Sequence, residues 1–212
     1  MASRLLVSSI IFLIIFKVAA IYFTNFSLYG DEAQYWLWSQ KPDLGYYSKP
    51  PLLAWFLSGY LGLFGDSFLS IKTFPIAIYL FISYAIYKLC LNLSFNKKNA
   101  LFCAVSFLVI PAASLSSFLV STDLLLLLFW TTGMVLLLKT IKNNSNLNFL
   151  LLGLIIGLGF LAKYAAIYFL LCLLMLLVLE RKSLHSFIKN PVGVLVFLIS
   201  FVTVLSPNIL WN

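Results

Sequence analysis

Long apolar runs alternate with short polar breaks along this chain, and the lengths of the runs set the first expectations. Leu5 to Phe23 is apolar except for Lys17 and a few small polar residues, and predicts a helix long enough to cross a bilayer. Phe68–Leu89, the stretch from Ala100 towards Val120, and Asp123–Leu138 predict three more. Pro111 predicts a kink in the third of the four spans. Leu147 to Leu179 carries Lys163 as its only charge. As one helix it would place Lys139 and Lys142 on the opposite face from Arg181 and Lys182, so it reads as a hairpin with Lys163 at its tip. A last run covers Val192 to Trp211. At roughly 20 residues per span, the pattern predicts about seven spans.

A secretory leader is the rival reading of the first run, because Val18 and Ala20 could flank a cleavage site. Lys17 within the run and the prompt return to the membrane favour a retained helix. Lys17 sits about 9 Å from the Phe23 end of that helix. From there a lysine can snorkel to the interface.

One polar stretch interrupts the pattern: GDEAQYWLWSQKPDLGYYSKPP, from Gly30 to Pro51. It predicts a short helix over Asp31–Gln40, with both acids in the first turn where the helix dipole favours them. Lys41-Pro42-Asp43-Leu44-Gly45 breaks that helix. Pro51 to Phe64 is too short for an ordinary span and suits an interfacial or re-entrant helix, with Trp55 and Tyr60 at that depth. The first outer loop therefore runs from about 24 to 67. No repeat or soluble domain is visible, so residues 1–212 read as a single all-α, polytopic transmembrane domain.

Composition strengthens this picture. Only 9% of residues are charged, against roughly 25% in soluble domains, so lipid must be the main solvent. The net charge of +8 invites a nucleic-acid reading, but the placement of charge argues against it. Arg4, Lys88, Lys97, Lys98, Lys139, Lys142, Arg181, Lys182 and Lys189 can share one side with Glu180 alone among the acids. This is the positive-inside pattern of a multi-pass inner-membrane protein. On the other side Lys17, Lys41, Lys49, Lys72 and Lys163 balance Asp31, Glu32, Asp43, Asp66 and Asp123. The balanced, extracytoplasmic side is where chemistry is expected. Cys90, Cys103 and Cys172 are widely spaced and suggest neither a disulfide framework nor a metal site. His185 falls on the basic side, which removes a histidine-based dyad from the balanced face.

The candidates on that face each have a plain reading beside the functional one. Asp31 or Glu32 could take a proton from an attacking hydroxyl, or could simply stabilise the first turn of a short helix. Adjacent helical residues point about 100° apart, so one would act while the other orients an acceptor, pairs with a lysine or binds a metal. Lys49 stands before two prolines that restrict its backbone and could bind a phosphate; it could also be an interfacial anchor. Asp123 is a second carboxylate or a helix cap. Lys163 is a phosphate ligand or a snorkelling tip residue. Tyr46, Tyr47, Trp36 and Trp38 could stack on a sugar ring, or form an aromatic belt.

The run DEAQYWLWSQKPDLGYYSKPPLLAWF followed by LFGDSF, then STDLLLLLFW, GLGFLAKY and the closing PNILWN, resembles the protein-mannosyltransferase-like and aminoarabinose-transferase-like GT-C glycosyltransferases. The resemblance covers almost the whole chain in the family's order. It implies a sugar donor on a polyprenyl phosphate and attack on its anomeric carbon by an acceptor hydroxyl at the extracytoplasmic face. The acceptor would be lipid A, another glycan or a protein. It assigns Asp31 as base or acceptor-orienting group with Glu32 beside it, Lys49 to the donor phosphate, Asp123 to the Asp of the TD motif and Lys163 to the LAK lysine. Ser48 stands where aminoarabinose transferases often have Glu, so the same sugar is not implied. No cofactor is assigned, and a divalent metal stays open. Family members are about twice this length. The resemblance therefore implies a GT-C-like N-terminal half, and leaves open a split or inactive half-enzyme that binds lipid or a second polypeptide.

Overall fold

The computed structural model describes residues 2–23 and 27–211. The side chain of Arg4 and the first residues of the outer loop, 24–26, lie outside the described residues. Within them the chain is helical, with an isolated bridge between Tyr46 and Lys49 and no β-strand. The all-α, polytopic expectation holds.

The helices are α1 (Ala2–Phe23), α2 (Gly30–Gln40), α3 (Leu52–Phe64), α4 (Phe68–Asn92), α5 (Lys97–Val109), α6 (Pro111–Ser116), α7 (Thr122–Asn143), α8 (Asn146–Ala162), α9 (Ile167–Leu179), α10 (Arg181–Ile188) and α11 (Pro191–Trp211). Four of the expected spans are long and apolar enough to cross a bilayer: Leu5–Phe23, Phe68–Asn92, Thr122–Asn143 and Pro191–Trp211. The other three fall short as single helices, so the count of seven is not reached. The expected third span is broken and not merely kinked. α5 ends at Val109, Ile110 turns extended with ψ 129°, and Pro111 opens a new six-residue helix. A proline forces the preceding residue out of the helical region and is at home in a first turn, where its missing N–H costs nothing. The hairpin arms are the 17-residue α8 and a stretch from Tyr164 to Leu179. The second arm bends by 106° into α10; the bent pair would make a fifth candidate span.

The chain forms two compact units. The first comprises residues 1–42 and 53–124. Here α4 packs along α5, and α1 packs against both. Phe74, Ile82 and Leu57 are fully buried, and the Ser83 hydroxyl donates to the Ala104 carbonyl at 2.8 Å, which holds α4 close to α5. Lys17 does not snorkel. It is 5% exposed, and its ammonium donates to Ser114 O, Ser114 Oγ and Ser117 Oγ at 2.9, 3.0 and 2.8 Å. The Phe118 ring lies 4.7 Å away. Three oxygen acceptors and a ring face stand in for the water a buried ammonium gives up.

The second unit comprises residues 43–52 and 125–212. Its closest packing is α8 on α11. Gly153 and Gly157, one helical turn apart, make it possible: a Cβ at Gly153 would run into the Ser200 hydroxyl and the Phe197 carbonyl oxygen, and one at Gly157 would lie 2.8 Å from Val204 Cβ. This is a small-residue seam of the kind that drives packing inside membranes, where there is no hydrophobic force between helices. A cluster of Leu136, Phe149, Leu152, Phe169, Phe187 and Phe197 fills the core beside it.

The expected hairpin at Lys163 is present. α8 ends at Ala162, and Lys163 is extended with φ −160° and ψ 133°. At one end of the unit Asn144 donates to Ser186 O at 2.7 Å and Asn190 donates to Asn146 Oδ1 at 2.7 Å. At the other end the Tyr164 hydroxyl donates to Asn208 Oδ1 at 3.2 Å. The hairpin thus returns the chain to its starting level and keeps the Lys139–Lys142 segment beside the one that follows Arg181–Lys182. The charge segregation read from the sequence is built into this unit.

Candidate functional site

The acidic end of the first unit is assembled around α2. Glu32 is the residue that fixes it. Its side chain is 2% exposed and accepts three hydrogen bonds: Oε2 from Lys72 Nζ at 2.6 Å and from the Tyr29 N–H at 3.0 Å, and Oε1 from the Val120 N–H at 2.9 Å. Lys72, 4% exposed, completes its coordination with the Phe118 carbonyl at 3.4 Å. One carboxylate therefore caps its own helix, neutralises a buried lysine of α4 and holds the segment just before α7. Of the roles open to the second acid, pairing with a lysine is the one this geometry displays. A second tie runs from Trp36 Nε1 to Asp66 Oδ1 at 2.8 Å, which commits that indole to holding α2 beside the α3–α4 turn.

With α2 held by Glu32, the neighbouring Asp31 is exposed to solvent in the first turn. One turn further on, Tyr35 is 3% exposed, and its phenol pairs with the Thr122 side chain. Burial, then the negative charges of Asp31 and Asp123, push this phenol above its ordinary range; the Thr122 hydrogen bond opposes them. The charges of both carboxylates are thus felt at one hydroxyl. Asp123 is exposed and one residue inside α7, so it faces the same phenol from a second helix. The structure therefore brings Asp31 and Asp123 to one place, with the buried Tyr35 as the shared neighbour. Sequence reasoning missed Tyr35. The signal available was its position four residues after Asp31, which puts both on one helix face.

The remaining candidates belong to the second unit. Tyr46 and Lys49 exchange backbone hydrogen bonds at 3.2 and 3.3 Å, which makes Tyr46-Tyr47-Ser48-Lys49 a tight turn. The Tyr46 hydroxyl accepts the Asp43 N–H at 3.1 Å and braces the turn from below, and burial pushes its phenol up. Tyr47 is fully exposed at the tip, while Lys49 is half-buried and followed by two buried prolines. Gly45 lies against the Trp211 ring so closely that a Cβ there would be 2.5 Å from it. Trp211 is one turn beyond Asn208, the partner of Tyr164, and Tyr164 follows the half-buried Lys163. Lys49 and Lys163 therefore stand at the same end of this unit. Among the described residues no three His, Cys, Asp or Glu side chains gather into a metal-binding group.

A model of the dolichyl-phosphate-mannose-protein mannosyltransferase family matches residues 48–211. That match includes Lys49, Asp123 and Lys163 and begins after Asp31. The lipid A galacturonosyltransferase RgtD of Rhizobium johnstonii is 31% identical over 155 residues, which is 73% of this chain and 33% of that protein. The chain thus matches about a third of the length of this curated relative. No solved structure matches the chain significantly. With apolar helices long enough to cross a bilayer and a family match over most of its length, the chain belongs to the dolichyl-phosphate-mannose-protein mannosyltransferase family of membrane proteins.

Proposed function

We propose that this chain carries the carboxylate and lysine groups of a glycosyltransferase that moves a sugar from a polyprenyl-phosphate donor to an acceptor hydroxyl at the extracytoplasmic membrane face. The pairing of Asp31 and Asp123 around Tyr35 carries the reading. In it, Asp31 is the general base. It accepts the proton of the acceptor hydroxyl as the hydroxyl oxygen bonds to the anomeric carbon. The bond from that carbon to the phosphate oxygen breaks, and its electron pair leaves with the phosphate. Asp123 orients the acceptor, and Tyr35, kept protonated, donates without competing for the proton. Glu32 acts through Asp31 as a positioning residue, because its three bonds set the direction of α2. Lys49 and Lys163 bind the donor phosphate as point charges. Exposed Tyr47, with Tyr46 bracing its turn, offers an aromatic face to a sugar.

Lipid A is the acceptor class we favour, since the curated relative is described as a lipid A galacturonosyltransferase. The relative is longer than this chain, and a second polypeptide completing the site belongs to the same proposal. The test is sugar transfer in membranes from cells expressing the chain, read by mass spectrometry of envelope glycolipids. Asp31→Ala should remove a glycolipid that the wild type produces. Transfer unchanged in that variant would sink the mechanism. A second reading, a non-catalytic module that binds a polyprenyl lipid, is favoured by one observation, the apolar groove of about 430 Å³ lined by Phe16, Phe68, Lys72 and Phe118. Retention of polyprenyl phosphate with no glycolipid change would support it.

A further inference from the structure

A second groove, of about 760 Å³, runs along the first unit between α1, α4 and α5. Val7, Ile10, Leu80 and Leu101 give it an apolar wall, and Lys97 and Lys98 line it where α5 begins. Both lysines are exposed, and Lys88, in the last turns of α4, sits 5.4 Å from the Tyr84 ring, which also lines the groove. No acidic residue occurs between Asp66 and Asp123, so these three cations have no carboxylate neighbour along this stretch of chain. The end is also remote from the carboxylate site. Lys72 and Lys88 are 16 residues apart on one helix, about 24 Å.

An apolar groove of this volume, with two exposed lysines at one end, is complementary to one class of molecule. We propose that this groove binds an anionic glycerophospholipid, its acyl chains along Val7, Ile10, Leu80 and Leu101 and its phosphate at Lys97 and Lys98. Basic pockets between membrane helices recognise acidic headgroups in this way, each lysine near the surface contributing through charge and the groove through shape. Lys88 is held over Tyr84 as a third cation at the rim. A zwitterionic lipid gains the same apolar contact but no net charge attraction. The site is separate from the proposed transfer chemistry.

The test is native mass spectrometry of the detergent-purified chain, titrated with phosphatidylglycerol and with phosphatidylcholine of matched acyl chains. Phosphatidylglycerol should bind at least about tenfold more tightly. The variant K97Q/K98Q should weaken it roughly 30-fold, with phosphatidylcholine unchanged. K97R/K98R should keep binding. K139Q/K142Q removes the same charge from the other unit and should have no effect. L101W fills the groove and should weaken both lipids. Equal binding of the two lipids, equal loss in the two glutamine variants, or full binding in L101W would each overturn the proposal.

Discussion

The Glu32–Lys72 pair offers the sharpest stability prediction, because both partners are buried and every bond they make is known. Lys72→Met leaves the Glu32 carboxylate at 2% exposure with only the Tyr29 and Val120 N–H donors. Glu32→Gln leaves the Lys72 ammonium, 4% exposed, facing an amide and the distant Phe118 carbonyl. Removing one partner of a buried pair costs about 3–5 kcal/mol, since the other charge stays uncompensated. In the double variant E32Q/K72M no charge remains. A glutamine oxygen can accept one backbone N–H, which leaves one donor unsatisfied at about 1–3 kcal/mol. The singles sum to roughly 6–10 kcal/mol and the double should cost only about 2–3, so the coupling exceeds about 3 kcal/mol. Equilibrium unfolding in mixed detergent micelles, followed by tryptophan emission, measures all four proteins. Trp36 and Trp38 on α2 report the helix that the pair holds. Single variants within about 1 kcal/mol of wild type, or strict additivity, would refute the view that Glu32 is the buried anchor of α2.

Three further outcomes follow from the same bookkeeping. Lys17→Met should be mild, about 1 kcal/mol or less, whereas S114A/S117A should cost about 2–4 kcal/mol by stripping two acceptors from a buried ammonium; thermal unfolding ranks the two. Gly153→Ala should destabilise the second unit by about 1–3 kcal/mol, because its Cβ would press on the Phe197 carbonyl, while Gly30→Ala, with nothing within 4 Å, should be close to neutral in the same assay. For Tyr35 the folded state holds the phenol above its ordinary range, so its contribution is complete below the unfolded value of about 10 and is lost as pH rises through the folded value. The stability advantage of wild type over Tyr35→Phe should therefore hold up to about pH 10 and shrink above it in a melting series.

Run length and charge placement made most of the fold legible. Four spans were readable because each is a long apolar helix with few charges, and the turn at Lys163 was readable because only a hairpin kept the basic clusters together. The break at Ile110-Pro111 was underestimated, since proline can kink a helix or end it and only the local backbone decides. The bend into α10 carried no proline or glycine signal. Gly153 and Gly157 stood in plain sight as a small-residue seam, but their partner α11 is remote in sequence. In the site, Asp31 and Asp123 were visible as acids on the balanced face. The pairing of Glu32 with Lys72 across 40 residues was not, because several lysines could have served. Lys17 was misread for a related reason: its serine acceptors lie about 100 residues away.

The central claim is that Asp31 removes the acceptor proton in a sugar transfer that depends on this chain. It is tested most directly by the rate of transfer from a polyprenyl-phosphate sugar to lipid A in membranes carrying wild type or Asp31→Ala. A general base contributes about 10²–10⁴-fold, so the variant should lose at least two orders of magnitude while its melting temperature stays near that of the wild type. A correctly folded Asp31→Ala that transfers sugar at the wild-type rate would contradict the account.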